Sequence, residues 1–559
     1  MFRSIRQVLS RPFQYRHRLE FDYRERWTAA TLQRLVTQEL GSPEVLVVSN
    51  REPYVHDRDA DGRRHVRVPA SGVVRALEPV VRACAGVWVA HGSGSADREV
   101  VDLNDRIRVP PEDPSYVLRR VWLSPEDEQG YYYGFSNETL WPLCHLAYVR
   151  PTFRDADWDA YRSVNQQFAT AVTGEAGRPD PIILIQDYHL ALLPWLIRQR
   201  KPSATIALFW HIPWPNAEAF CVCPWASEIV RHLVAGDVVG FHTRQHCCNF
   251  LATAEQLLEY RVDHERMTIT MDGHVCQVAA HPISIEWPPP QVEGLPAVAV
   301  SRAEARKRHA ISPDVHLGVG VERWDFTKGI VERFHALEAL LERRAYLLGR
   351  IALLQVLAPS RSRLPAYQAL QQRTLAEVKR INGRFGGSSW TPIMLLDGQQ
   401  SPEEVFELYR AADFCLVNSL HDGMNLVSKE FVAARDDEDG VLILSAFAGA
   451  SRELREALLI NPYSISETAA AIEAAVAMPR RERRERMRLL RRTVSDNNVF
   501  RWAGHMLLDV AQARASRALP AHWRAVPTGK RGDEEAAPGV TALRPRMSPR
   551  QWARKSGRR

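Results

Sequence analysis

Arg323 and Lys328 lie five positions apart in GVGVERWDFTKGIVERF, and Arg361 follows in LAPSRSRLPAYQAL. Further on, NSLHDGMNLVSKEFV sets Asp422 in a turn and Glu430 inside the helix that this turn opens. Fixed cations of this kind neutralise phosphate. Amides at a helix start bind anionic oxygens or sugar hydroxyls. An acid two turns on accepts hydrogen bonds from ribose hydroxyls, much as in dinucleotide sites. The set suits a ligand that combines a diphosphate, a ribose and a sugar. An arginine–lysine pair alone would be as well explained by a solvated helix face. The DGMNL turn downstream and the apolar flanks of Glu430 (Leu426, Val427, Phe431, Val432) favour a site, because an acid so surrounded needs a partner.

These residues need elements to hold them. EVLVVSN, PIILIQD, TIALFWHI and DVVGFHT read as short buried strands, with helical patterns such as GVVRALEPVVRACA and ASEIVRHLVAGD between them. The second half repeats the rhythm in HLGVGVER, RIALLQVLA, TPIMLLDG, DFCLVNSL and GVLILSAF. Such βαβ alternation predicts α/β sheets that are mainly parallel and covered on both faces. Asp187 in IQDYH and His211 in FWHIP fall at the C-terminal ends of two predicted strands, where ligands bind in open α/β sheets. The Pro-rich PISIEWPPPQVEGLPAVAV marks a linker. The expected organisation is a basic extension over 1–43, a first domain over 44–285, a linker over 286–302, a second domain over 303–510 and a basic, aperiodic tail over 520–559.

At 559 residues the chain exceeds what one core supports. Its net charge of +7 resides in its ends: +6 over 528–559 and +4 over 1–43, which leaves −3 for the body. The basic balance therefore argues for no nucleic-acid partner at the centre, and no nucleic-acid-binding module is recognised. The eight cysteines form no CxxC pair and read as reduced thiols in a cytoplasmic protein. The longest apolar candidate, PIILIQDYHLALLPWLI, is broken by Asp187 and His189, so no membrane span is expected. Asp187 with His189 and His211 lacks a third ligand at fixed spacing, so neither a metal nor a cofactor is expected. The expected partners are small-molecule substrates and, as an open option, further copies of the chain.

A dozen ordered blocks, from VVSNREP at Val47 to NVFRWAGHML ending at Leu507, together resemble the trehalose-6-phosphate synthases, the family-20 retaining glycosyltransferases. Among them are YYYGFSNETLWPLCH, IQDYHLALLPWLI, FWHIPWPNAEAF and LHDGMNLVSKE. The resemblance implies the GT-B architecture, in which two doubly wound Rossmann-like domains face a cleft. It implies a terminal helix that crosses back to the first domain. For a nucleoside-diphosphate glucose donor, it implies Arg323 and Lys328 at the diphosphate and Asp422 on the sugar hydroxyls. Gly72 and the backbone of Met424, Asn425 and Leu426 would lie against sugar and phosphates, with Glu430 on the ribose. For a glucose 6-phosphate acceptor it implies Arg51 and Arg361 at the phosphate, with Tyr132, Trp141 and Asp187 lining the sugar. His211 would sit near the reacting centre. Asp187, His211, Arg323 and Lys328 are thus the catalytic candidates. Two guanidinium groups in one pocket, without a nearby acid, would favour a dianion.

Several positions depart from the family pattern. Ser71 precedes Gly72 where a glycine pair is usual, His91 stands for a tryptophan, Gln186 for the first histidine of HDYH, and His421 for an arginine. His91 would make the acceptor pocket more polar. Three readings stay open: a UDP-glucose-dependent trehalose 6-phosphate synthase, a relative using glycerol 3-phosphate, and a catalytically weak regulatory homologue. The implied chemistry is front-face transfer with retention, in which the protein contributes positioning and charge stabilisation.

Overall fold

The structure is a computed structural model that describes residues 26–69, 72–387 and 390–518. The tail expected over 520–559, most of the basic extension and Ser71 lie outside the described residues.

Two large sheets carry the chain. The first has ten strands, and within it the strand Val45–Arg51 pairs in parallel with Val87–His91 on one side and Ile182–Gln186 on the other. The chain first builds outward through Val87–His91 to Tyr116–Val121. It then returns and builds the other way through Thr205–Phe209 and Val238–Phe241. The second sheet has six parallel strands and repeats the plan. From His316–Arg323 it runs out to Ile351–Ala358 and Ile393–Asp397, then back through Phe414–Val417, Val441–Ser445 and Leu458–Ile460. Each sheet is therefore doubly wound, with a reversal of strand order beside its first strand. That reversal leaves a crevice at the strands' C-terminal ends. The strand sequences are continuous Val/Ile/Leu runs because helices cover both faces; Val45–Asn50, Ile182–Gln186 and Val441–Ser445 are buried at every position.

Both edges of the first sheet depart from a purely parallel plan. Arg106–Val109 pairs antiparallel with Tyr116–Val121, and Arg261–Asp263, Thr268–Met271 and His274–Ala280 form an antiparallel meander. These edge strands are short and polar, so they lack the apolar runs that reveal the central ones. The Pro-rich segment is irregular apart from a single turn at Pro290–Val292, and the helix Val298–Arg308 begins within it.

One apolar core joins the two halves. It contains Val47, Trp88 and Phe209 from the first sheet, Val319, Val417 and Leu444 from the second, and Leu507 from the last helix. That helix, Val499–Ala518, packs Trp502 edge-on against Phe209 and sets Asp509 at 2.9 Å from His281. Asn498, just before it, donates to the carbonyl of Trp27. No helix among the described residues is long and apolar enough to cross a membrane.

Candidate active site

The two crevices face each other across a cleft of about 330 Å³. All fourteen residues to which the resemblance gives a catalytic or binding role line it, although they are spread from Arg51 to Glu430. The topology explains this convergence. Arg51, Asp187 and His211 end or follow strands of the first sheet. Arg323, Arg361 and Asp422 end or follow strands of the second. Two glycines allow the halves to touch. A Cβ on Gly423 would lie 2.5 Å from the His211 carbonyl, and one on Gly72 would lie 2.9 Å from the Leu426 side chain. Three cleft residues adopt positive φ without being glycine: Asp187 (76°), Arg361 (46°) and Asn425 (87°). Such backbone strain persists where the surroundings over-determine it, and it clusters at functional sites.

On the second sheet's side, Lys328 Nζ lies 2.5 Å from Asp422 Oδ2. Ser419 and Asn425 also donate to that oxygen. Burial disfavours both charges, yet each partner keeps the other ionised: Lys328 is held above the usual ammonium range and Asp422 well below the usual carboxylate range. Asn425 caps the helix Leu426–Ala434 through the Ser428 amide, so the helix N-terminus opens on the cleft. Glu430 is pushed up by burial. Arg75 at 3.9 Å and the Tyr409 hydroxyl at 3.2 Å oppose that shift.

On the other side, Arg51 Nη2 donates to the Tyr132 phenol oxygen at 2.9 Å. Tyr132 lies in a π-helical stretch, Gln129–Leu140, that periodicity did not reveal. Burial would raise its phenol, but Arg51, Arg361 and Arg323 outweigh burial and bring it down to about 8. Asp187 Oδ1 accepts the amides of Tyr188 and His211, and burial nonetheless raises its carboxyl to about 7. His211 Nε2 meets the Gln186 side-chain carbonyl at 2.8 Å, which assigns the ring proton to Nε2 and leaves the buried Nδ1 unpartnered. Burial holds this imidazole well below its ordinary range, and so neutral.

Two expectations need correction. Arg361 is not free of acids. It donates to Asp325 Oδ2 at 3.0 Å and to the Tyr367 hydroxyl, while its guanidinium lies 3.9 Å over the Trp141 ring. Asp325 is fully buried and also accepts from Thr327 and Trp141. Burial would raise this carboxyl, but Arg361, Arg323 and Lys328 hold it below the usual range. The second correction concerns His91, which is not among the cleft-lining residues; its Nδ1 lies 3.2 Å from the Val121 carbonyl. His421 likewise turns away, to the carbonyl of His145, whereas Gln186 does line the cleft.

Asp325 and Arg75 are the contributors that sequence reasoning passed over. Asp325 had a signal, since it stands between two cations in ERWDFTK. Arg75 had none, because its partner Glu430 is remote in the chain. Among the described residues, no group of three or more His, Cys, Asp or Glu is placed to hold a metal ion.

The sequence model of glycosyltransferase family 20 matches residues 43–512. A trehalose-6-phosphate synthase of Mycobacterium avium (strain 104) is 36% identical over 488 residues, covering 85% of this chain and 97% of that protein. Among solved structures, the E. coli protein bound with UDP-2-fluoro glucose superimposes with a TM-score of 0.73 at 32% identity, covering 84% of this chain and 99% of that one. The α,α-trehalose-phosphate synthase (UDP-forming) from Burkholderia xenovorans in complex with glucose-6-phosphate gives 0.73 at 31% identity, covering 84% and 100%.

Proposed function

This chain belongs to glycosyltransferase family 20 and has its GT-B fold, and on that premise we propose that it transfers glucose from UDP-glucose to glucose 6-phosphate, giving α,α-trehalose 6-phosphate with retention. The observation that carries this reading is the convergence of all fourteen site residues on one cleft between two switch points.

In this reading the diphosphate lies between Arg323 and Lys328 at the N-terminus of the helix Leu426–Ala434. The charge that develops as the sugar–phosphate bond breaks then meets cations already in place. Asp422 receives sugar hydroxyls and Glu430 the ribose. Val321, Val356 and Val405 offer the base an apolar slot beside Gln399 and Gln400. The acceptor phosphate sits with Arg51 and Arg361, and its sugar lies along Tyr132, Trp141 and Asp187. The acceptor hydroxyl attacks the anomeric carbon on the face that the diphosphate leaves, and a diphosphate oxygen takes its proton. Residues of both sheets hold the two substrates in contact, which supplies the orientation such a transfer needs. The eight free cysteines suit a reducing, cytoplasmic setting.

The test pairs UDP-, ADP- and GDP-glucose with glucose 6-phosphate and glycerol 3-phosphate and identifies the products. Trehalose 6-phosphate formed fastest from UDP-glucose is the expected result. A better yield from glycerol 3-phosphate would replace the acceptor assignment.

A further inference from the structure

Among the described residues, Glu430 receives its one ion pair from the opposite half of the molecule. Arg75 lies on the helix Gly72–Cys84, which packs on the first sheet, and its Nη1 is 3.9 Å from Glu430 Oε1 on the helix Leu426–Ala434. The close contact of Gly72 with Leu426 brings these helices together. Both side chains line the cleft, and both also line a second cavity of about 630 Å³ behind it, so the pair stands in the wall between the two spaces. The other groups facing Glu430 are the Tyr409 hydroxyl from the helix Pro402–Ala411, which donates to Oε2, and the Cys415 thiol from the strand Phe414–Val417. Burial pushes both of these acids far up, so they stay neutral. Arg75 is the one charged group among them.

We propose that Arg75 is a positioning residue for the donor: reaching across the cleft, it keeps the Glu430 carboxylate charged and turned toward the ribose hydroxyls. A buried carboxylate without it would take up a proton more readily. It would then present a donor as well as an acceptor to the diol, which itself needs acceptors. The inference rests on the placement of the ribose at Glu430.

The experiment measures KM for UDP-glucose and for its 2′-deoxyribose analogue, together with binding of UDP and 2′-deoxy-UDP, between about pH 5 and about pH 9. The proteins are wild type, Arg75→Gln and Arg75→Lys. Wild type should favour the ribose forms roughly tenfold or more, a preference present while Glu430 is ionised and lost as pH falls. In Arg75→Gln that loss should move up by about one pH unit, with the preference regained in alkali, and Arg75→Lys should keep the wild-type profile. An Arg75→Gln profile that coincides with wild type overturns the inference. A wild type that never prefers the ribose forms removes the ribose from Glu430, and the inference with it. UDP binding that follows the expected profile while UDP-glucose gives no transfer would uphold Arg75 and overturn only the proposed reaction.

Discussion

Lys328 and Arg51 point into the same cleft, yet they meet different kinds of partner. Lys328 is matched by the carboxylate of Asp422, and nearby Arg361 by that of Asp325. Among the described residues, Arg51 is bonded to the phenol of Tyr132, not to a carboxylate. The second sheet's half therefore arrives with its buried charges already paired; in the proposed reading a diphosphate there would meet an ordered array to which Arg323, 4.0 Å from Asp325, adds positive charge. The first sheet's half keeps an arginine whose partner is neutral until its own proton leaves. The arginine–phenol pair should therefore respond to alkali, whereas the Lys328–Asp422 and Arg361–Asp325 pairs should hold their charges there.

Removing a cation from the paired half should have the largest effect. Arg323→Ala or Lys328→Ala should lower turnover on the order of 10²- to 10³-fold, the scale seen when one fixed donor to developing charge is lost. Steady-state kinetics with saturating donor and acceptor checks this. Wild-type turnover in a variant lacking both would show that the diphosphate lies elsewhere.

Asp325 is the hub where the two halves meet, and its loss should be felt as stability. Asp325→Ala leaves Arg361 buried and unpaired, which should cost about 3–5 kcal/mol in urea unfolding. Arg361→Ala should raise the acceptor KM far more than the donor KM. A double variant, Asp325→Ala with Arg361→Ala, that loses less than the sum of the singles would show the two acting as a unit.

The halves also differ in how they could be read. On the donor side, Arg323 and Lys328 share one short motif and Asp422 to Glu430 share another, so local spacing shows their chemistry. The proposed acceptor side draws on Arg51, Tyr132, Trp141, Asp187 and Arg361, which no local pattern links; only resemblance grouped them. The doubly wound sheets were legible because their central strands are continuous apolar runs. The antiparallel edge strands and the π-helical turn that carries Tyr132 were not: the first are short and polar, and the second breaks the 3.6-residue period. The Arg75–Glu430 pair escaped for a further reason. It spans 355 positions, and nothing in either local sequence asks for the other.

Titration of Tyr132 should give a smaller effect, confined to the first half. Below about pH 8 the phenol is neutral and Arg51 is free to hold phosphate. Above that value a phenolate competes for the guanidinium, so the acceptor KM should rise several-fold as pH increases through this range, while the donor KM holds. Tyr132→Phe removes the titrating group and should flatten the alkaline rise. If the rise persists in that variant, the phenol is not the group responsible, and the contrast between the halves weakens.

His91→Trp should change acceptor choice least of all. A polar residue where relatives place an aromatic suggested a reshaped acceptor pocket, but the imidazole is tied to the Val121 carbonyl and does not line the cleft. The neighbouring Gly92 is tightly packed, with a Cβ there falling 2.4 Å from the Trp122 ring. A tryptophan at 91 therefore enters a crowded strand end, and its cost should appear as about 1–3 kcal/mol of stability from overpacking. The ratio of kcat/KM for glucose 6-phosphate to that for glycerol 3-phosphate should stay as in wild type. A marked change in this ratio would mean that the acceptor half extends past Arg51 to the end of the neighbouring strand.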